Sequence, residues 1–411
     1  MKLPKYYGWR IVAALGLTTI VSYGTSQYLF GLLVEPMISD FGWSHAAIGG
    51  AYSGTVLVSG VAGLYLGVLL DRYGARRLMA TGSLVGGITL LLLAHVHTLW
   101  QFQFLWTFGM GLAGALTYYP ISFTVIANWF DRSRGKAFSL LTFMGAFAST
   151  IFYPISGALI AAYGWPQALV FLAGVQILFC FPLHAVVLRR HPEDHGLNPD
   201  GAHAAGASDP ASGATFRAAI RSGPFILITT ALGLSFFAST VVLVEHVAYL
   251  IARGWDPSLA ATLVGLFGIA YLPGRALTAY AAGKVSLSTQ LAIAFGAEAL
   301  GVVLLALSSG FISVFAYVVV FGAAYGAIAP LRGAIVAEHF GRRSYGAIIA
   351  AQGLIIGIAS ALGPIVAGGL IDRAGYGLAL GACALVFAGA AVAIMFPALR
   401  ALRVRDRESR R

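Results

Sequence analysis

GVLLDRYGARR, residues 67–77, is the stretch on which the reading of the whole chain turns. An apolar run ends at Leu70, a polar turn with Asp71, Arg72 and Arg76 follows, and a second apolar run opens at Arg77. Asp71 can cap a helix end and pair with basic groups of a neighbouring helix. Gly67 and Gly74 permit close packing and a tight turn. A short basic turn between two long apolar helices is the geometry of a membrane hairpin.

Outward from this turn the pattern repeats. Apolar runs lie at 9–32, 46–70, 77–96, 101–127, 136–163, 167–188, 222–250, 258–282, 288–308, 311–337, 344–371 and 376–398. Each has the roughly 20 residues needed to cross a bilayer. The 411 residues are 59% hydrophobic and 10% charged, against about 25% charged in soluble chains. Short alternating segments, the mark of a membrane barrel, are lacking. The sequence therefore predicts an all-α membrane protein of 12 transmembrane helices.

The charges orient it. Of the 26 Lys and Arg residues, all but Arg253, Arg275, Arg332 and Arg373 fall at the N-terminus, in the even-to-odd connections or in the basic tail. The positive-inside rule then puts both termini in the cytoplasm. The net charge of +11 is accounted for by these loops, so nucleic acid is not expected as a partner. Cys180 and Cys383 lie in apolar runs without metal or redox spacing. The first apolar run shows no small-residue cleavage site and reads as an uncleaved span. No metal or cofactor set appears, and loops too short for a soluble catalytic domain argue against an enzyme.

The longest connection contains NPDGAHAAGASDPASGATF and reads as a flexible linker. It divides a six-helix half at 1–190 from a second at 222–398, with the linker at 191–221 and a basic tail at 399–411. The halves echo each other. YYPISFTVIANWF (118–130) corresponds to IAPLRGAIVAEHF (328–340), Pro120 to Pro330, and a basic turn follows each. Weak internal repetition of this kind marks a duplicated transporter with its site at the repeat interface.

Polar residues inside the spans are the candidate site. Arg275, in GIAYLPGRALTAY (268–280), is a guanidinium within span 8. It keeps its charge, which at mid-bilayer costs from about 3 to over 10 kcal/mol. It needs water, a partner or an anionic ligand. Arg332 lies two residues after Pro330, with Glu338 six residues further on as a possible partner in a gating pair or, alternatively, as an anion contact in its own right. Glu245 and His246, in the outer half of span 7, point about 100° apart. Either could carry a proton, the histidine by its near-neutral titration and the glutamate through desolvation. Glu245 reads as the one clear mid-chain acid. Tyr23, Tyr28, Tyr118, Tyr119, Phe143 and Tyr325 stand near mid-depth, where tyrosine hydroxyls can donate to a carboxylate and rings can shape a pocket.

GVLLDRYGARR resembles the signature loop G-x-x-x-D-R-x-G-R-R of the major facilitator superfamily, with Ala75 at one loose position. The resemblance implies a fold of two pseudo-symmetric six-helix halves. It also implies a cytoplasmic gating latch at Asp71, Arg72, Arg76 and Arg77. The counterpart after span 8, YAAGKVS, is degraded. YYGWRIV (6–12), VEPMISDFGWSHAAIGGAYS (34–53), GMGLAGALTYYP, ANWFDRSRGKAFSL, FGRRSYGAIIA and ALGPIVAGGLIDRAG together resemble the monocarboxylate transporter family and its oxalate/formate-antiporter-like relatives. In that family an arginine of span 8 binds the substrate carboxylate, and Arg275 matches it. Animal members place an aspartate one turn earlier; Tyr271 stands there. Oxalate-type relatives add a lysine in span 11, where this chain has Gln352. One substrate-facing cation suits one carboxylate rather than two.

The expectation is a multi-pass protein of the cell inner membrane, monomeric in the lipid bilayer. It transports small monocarboxylates, lactate- or pyruvate-like, with a proton by alternating access. Arg275, Tyr119, His246, Tyr118, Tyr28, Tyr325, Phe143 and Gln352 form the substrate site, His246 or Glu245 couples the proton, and Arg332 and Glu338 join the gating set. An organic-anion antiporter and a major facilitator exporter of another small-molecule class are the alternatives.

Overall fold

The computed structural model describes residues 6–130, 133–189, 214–341 and 344–408. Most of the expected linker, the end of the basic tail and the side chain of Asp71 lie outside the described residues. The described chain is almost entirely helical. Ten helical segments are long and apolar enough to cross a membrane, against twelve expected. Two features account for the difference. The first helix, 8–41, falls outside that set and contains a π-helical turn at Gly24–Tyr28. The last two expected spans run as one helical stretch, Ala347–Met395, broken only at Gly375, where φ is 79°.

We number the helices α1 (8–41), α2 (45–73), α3 (75–93), α4 (Leu99–Trp129), α5 (Lys136–Tyr163), α6 (Trp165–Val187), α7 (Gly223–Ala252), α8 (Pro257–Ala281), α9 (Leu287–Ala306), α10 (Phe311–Phe340), α11 (347–374) and α12 (376–395). The turn that opened the reading sits where α2 meets α3. Gly74 there has φ 76° and ψ 156°, a backbone conformation that side chains other than glycine's rarely tolerate. The Tyr118–Pro120 corner also departs from a plain helix. Tyr118 is extended, with ψ 179°, as the N-cap of a new helical segment, Tyr119–Trp129, whose first turn accommodates Pro120. Pro330, its counterpart, lies inside an unbroken α10.

The chain forms two compact units. The first comprises residues 1–206 together with Glu245–Gly268, the end of α7 and the start of α8. Its core gathers Ile11, Leu15, Met79, Ile126, Trp129 and Phe130. The Glu245–Gly268 segment joins it through a seam of small residues. A side chain at Gly268 would strike the Ala146 carbonyl of α5, and one at Gly157 would strike Ala261. Ser149 Oγ donates to the Gly265 carbonyl at 3.4 Å. Such seams let membrane helices approach backbone to backbone, where dispersion rather than water expulsion holds them. The second unit comprises 207–244 and 269–411, with a core that includes Leu232, Leu291, Phe295, Ile335 and Ile394. In both units large apolar side chains such as Leu178, Ile293, Ile312 and Leu385 face outward, as helices against lipid do.

Candidate functional site

In the second unit Arg275 stands two residues after Pro273, half-buried, on α8. Gly274 lies against the backbone of Ala323, and Gly326 against the backbone of Tyr271. α8 and α10 therefore touch main chain to main chain at the level of Arg275. The Tyr271 ring, one turn before Arg275, packs on Tyr325 at 5.5 Å, and Tyr325 in turn meets Phe236 of α7 at 6.3 Å. Thr278 Oγ1 donates to the Arg275 carbonyl at 2.8 Å. Tyr271 thus places an aromatic stack one turn from the guanidinium.

Arg332 has a different partner from the one expected. Its Nε donates to Gln352 Oε1 at 2.8 Å and its Nη2 to the Ile349 carbonyl at 3.2 Å. Glu338 is exposed. Residues six apart on a helix point about 120° from each other, so α10 cannot bring both into one pair. Gln352, fully buried, is held between Arg332 and Thr229 Oγ1, at 3.5 Å from the latter. The structure therefore gives Gln352 a role as acceptor for a half-buried arginine. Arg72, Arg76 and Arg77, expected in a gating latch, are exposed, with Arg72 over the Tyr73 ring at 5.3 Å.

In the first unit the expected tyrosines come together. Tyr23 stacks on Tyr118 at 4.4 Å and lies 5.0 Å from Tyr119. Tyr118 OH shares a hydrogen bond with Ser26 Oγ at 2.6 Å. These two side chains, with Gln27, Tyr52, Thr55, Val56, Ser59 and Trp106, line a cavity of about 190 Å³. The π turn at Gly24–Tyr28 turns Ser26 and Gln27 toward it, a distortion that recurs at functional sites. Another π turn opens at Gln176, whose Nε2 donates to Thr25 Oγ1 at 2.7 Å. Phe143, nearly half exposed, packs with Phe147. Tyr28 turns elsewhere, onto Tyr153 at 5.2 Å.

Glu245 and His246 belong to the first unit and are buried. His246 Nε2 is 2.9 Å from Tyr153 OH, and its ring stacks on Phe267 at 5.4 Å. The imidazole is thus enclosed by rings of α5 and α8.

Two features went unread in the sequence. One is Glu298, in GAEALG at the middle of α9 and 0% exposed. Its Oε2 accepts from Ser235 Oγ at 2.8 Å and its Oε1 from Ser239 Oγ at 2.9 Å. The signal was available: a lone acid in a 20-residue apolar helix. The other is the Ser26–Gln27–Gln176 group, small polar residues that no motif marks. A cavity of about 570 Å³ is apolar and lies between α8, α9 and α10, lined by Leu277, Tyr280, Ile293 and Val319. Arg275 is on another face of α8 and does not line it.

The sequence profile of the Major Facilitator Superfamily matches residues 15–251 and 246–411, and the chain belongs to that superfamily. Among curated proteins it is similar to monocarboxylate transporter 13 of Rattus norvegicus, 25% identical over 95% of this chain and 89% of that protein. The bovine (Bos taurus) form is 25% identical over 66% of this chain, and the chain spans 60% of its length. A probable galactarate/D-glucarate transporter of Escherichia coli (strain K12) is 29% identical over 46% of this chain, and the chain spans 42% of its length. Among solved structures, the nucleoside transporter NupG (D323A mutant) superimposes with a TM-score of 0.73 at 14% identity, covering 94% of this chain and 98% of that one. A bacterial homologue of the human lysosomal transporter Spinster gives 0.69 at 17% identity over 96% of both chains. These establish the major facilitator fold, and the protein is a multi-pass membrane transporter.

Proposed function

We propose that this transporter carries small monocarboxylates together with a proton, and that Arg275 holds the substrate carboxylate. The observation that carries the reading is a half-buried guanidinium in the later part of α8, on a helix locked against α10 at that level. A fixed cation in a membrane span suits an anionic cargo, and a guanidinium matches a carboxylate bidentately. The names of two similar proteins, a monocarboxylate transporter and a galactarate/D-glucarate transporter, share that chemical group. The aromatic stack of Tyr271 and Tyr325 beside Arg275 suits a short cargo with an apolar remainder. Placement in the cell inner membrane with both termini cytoplasmic follows the distribution of arginines and lysines.

The test is uptake of a labelled short-chain organic-acid panel into proteoliposomes, with and without an inward proton gradient. Arg275→Ala should lower carboxylate uptake by about 100-fold or more, the cost of removing one partner of a charge pair. Arg275→Lys should restore little, because the planar fork is lost. Transport by the alanine variant at the wild-type rate would sink the substrate assignment.

A further inference from the structure

We propose that the groove between α8, α9 and α10 binds an acidic phospholipid of the surrounding bilayer, with one acyl chain laid along the groove and the phosphate paired with Lys284 at its mouth. This site is independent of the cargo that the protein carries.

The groove is a product of residue size. On α9 the positions that face it are 290, 293, 294 and 297, and on α10 they are 319, 320, 323, 324 and 327. That is the three- and four-residue spacing of one helix face. The floor is made of alanines, Ala294, Ala297, Ala323 and Ala324, and the rim of the larger Leu277 and Ile293. Small residues on neighbouring helices leave a space of about 570 Å³, within the range of about 300–1,000 Å³ for pockets that hold a single small molecule. Leu277 and Ile293 are 63% and 64% exposed, so the groove opens outward. The exposed face of α9 continues as Leu300 and Val303, an apolar composition suited to lipid rather than to an aqueous cavity. The depth suits one leaflet. From Gln290 to Ala297 α9 advances about 10 Å at 1.5 Å per residue, against about 15 Å for half of the hydrocarbon core.

The mouth lies at the turn between α8 and α9, residues 282–286, where the chain reaches the membrane edge. Lys284 Nζ sits 3.6 Å from the centroid of the Tyr280 ring, and Tyr280 lines the groove. The ring therefore holds the ammonium over the groove's end, and tyrosine is a residue that gathers at headgroup depth. Lys284 is exposed, and no acidic residue occurs between Asp256 and Glu298 to neutralise it along α8, the turn or the start of α9. Glu298 itself is taken by Ser235 and Ser239. Gln290 fixes the turn, its Nε2 donating to the Val285 carbonyl at 2.8 Å and to the Ala281 carbonyl at 3.4 Å. An apolar slot that ends at a fixed cation is the shape of an acidic lipid: the chain gains dispersion contacts along the alanines, and the phosphate meets the ammonium. A helix of a second copy would fill the slot but would bring Lys284 no anion. Gly274 and Ala323, which meet main chain to main chain, both line the groove. A lipid lying along that seam braces α8 against α10.

The test uses the whole chain, purified in detergent, stripped of lipid and titrated with phosphatidylglycerol or phosphatidylcholine of identical acyl chains. Native mass spectrometry counts the bound lipids, and melting in detergent reads their effect. One phosphatidylglycerol should bind ahead of the rest, about fivefold tighter than phosphatidylcholine, as one lysine at the membrane surface supplies, and should raise the melting temperature. Lys284→Ala, at an exposed turn, should bring the two lipids to within about twofold of each other, and Lys284→Arg should restore the preference. Ala297→Leu fills the floor and should remove the first site for both lipids. If that variant melts early without lipid, Leu277→Trp, which closes the groove from its exposed rim, gives the same readout. Equal affinity for the two lipids in the wild type overturns the proposal, as does an unchanged preference in Lys284→Ala or a first site that survives both groove-filling variants. A graded series of equivalent adducts means annular lipid only and also overturns it. A dimer that the groove-filling variants dissociate overturns it too, and gives the groove to a second copy.

Discussion

α7 carries two buried polar centres, and they are built differently. Near its end His246 is enclosed by Tyr153 and Phe267, its Nε2 committed to one hydroxyl. At its middle Ser235 and Ser239 present two hydroxyls to the carboxylate of Glu298. The first arrangement welds helices of the first unit together. The second holds an ionisable group with donors that suit both of its protonation states. Residue type alone favours the histidine as proton carrier, since it titrates near neutral pH. The surroundings differ as much, with aromatic walls about the imidazole and two hydroxyl donors on the carboxylate.

The contrast can be broken or sharpened by experiment. The largest stability effect should come from His246→Ala, which empties a ring-sized space among Tyr153, Phe267 and their neighbours. A loss of about 3 kcal/mol, read as a fall in melting temperature in detergent, is expected. His246→Phe keeps the ring packing and should recover most of it. Gln352→Ala comes next, because Arg332 would lose the acceptor of its Nε inside the protein. A cost of about 2 kcal/mol follows from leaving a buried donor unsatisfied, visible in the same melting assay; an unchanged melting temperature would mean that Arg332 finds another acceptor. Tyr153→Phe should be the mildest, at about 1 kcal/mol, with proton-driven uptake kept within about twofold. Collapse of that uptake in Tyr153→Phe would give the His246 centre a coupling role and erase the contrast.

Much of this architecture was legible before any coordinates. The run from Leu70 through the Gly74 turn into α3 reads as a hairpin because apolar length and glycine chemistry are local properties. Arg275 stands out because charge in an apolar run is visible in one dimension. Glu298 is equally visible by that criterion, as the acid of an apolar helix. The partners were not legible. Nothing in the spacing of Arg332 and Glu338 shows that they diverge around α10, or that Gln352 reaches Arg332 from α11. The count of spans shifted for a related reason. Hydropathy marks apolar segments, whereas a break such as Gly375 is a matter of backbone dihedrals.

The sequence by itself determined that this chain lies in a membrane as helices, which way the basic loops argue it faces, and that a cation sits within α8. Those follow from the free energy of moving each residue from water to lipid, which depends on composition over a window. Only the tertiary structure decided which hydroxyls meet which carboxyl, which amide receives Arg332, and that His246 is walled by aromatic rings. Those follow from directional contacts between residues distant in the chain, and their energies exist only once the helices have packed.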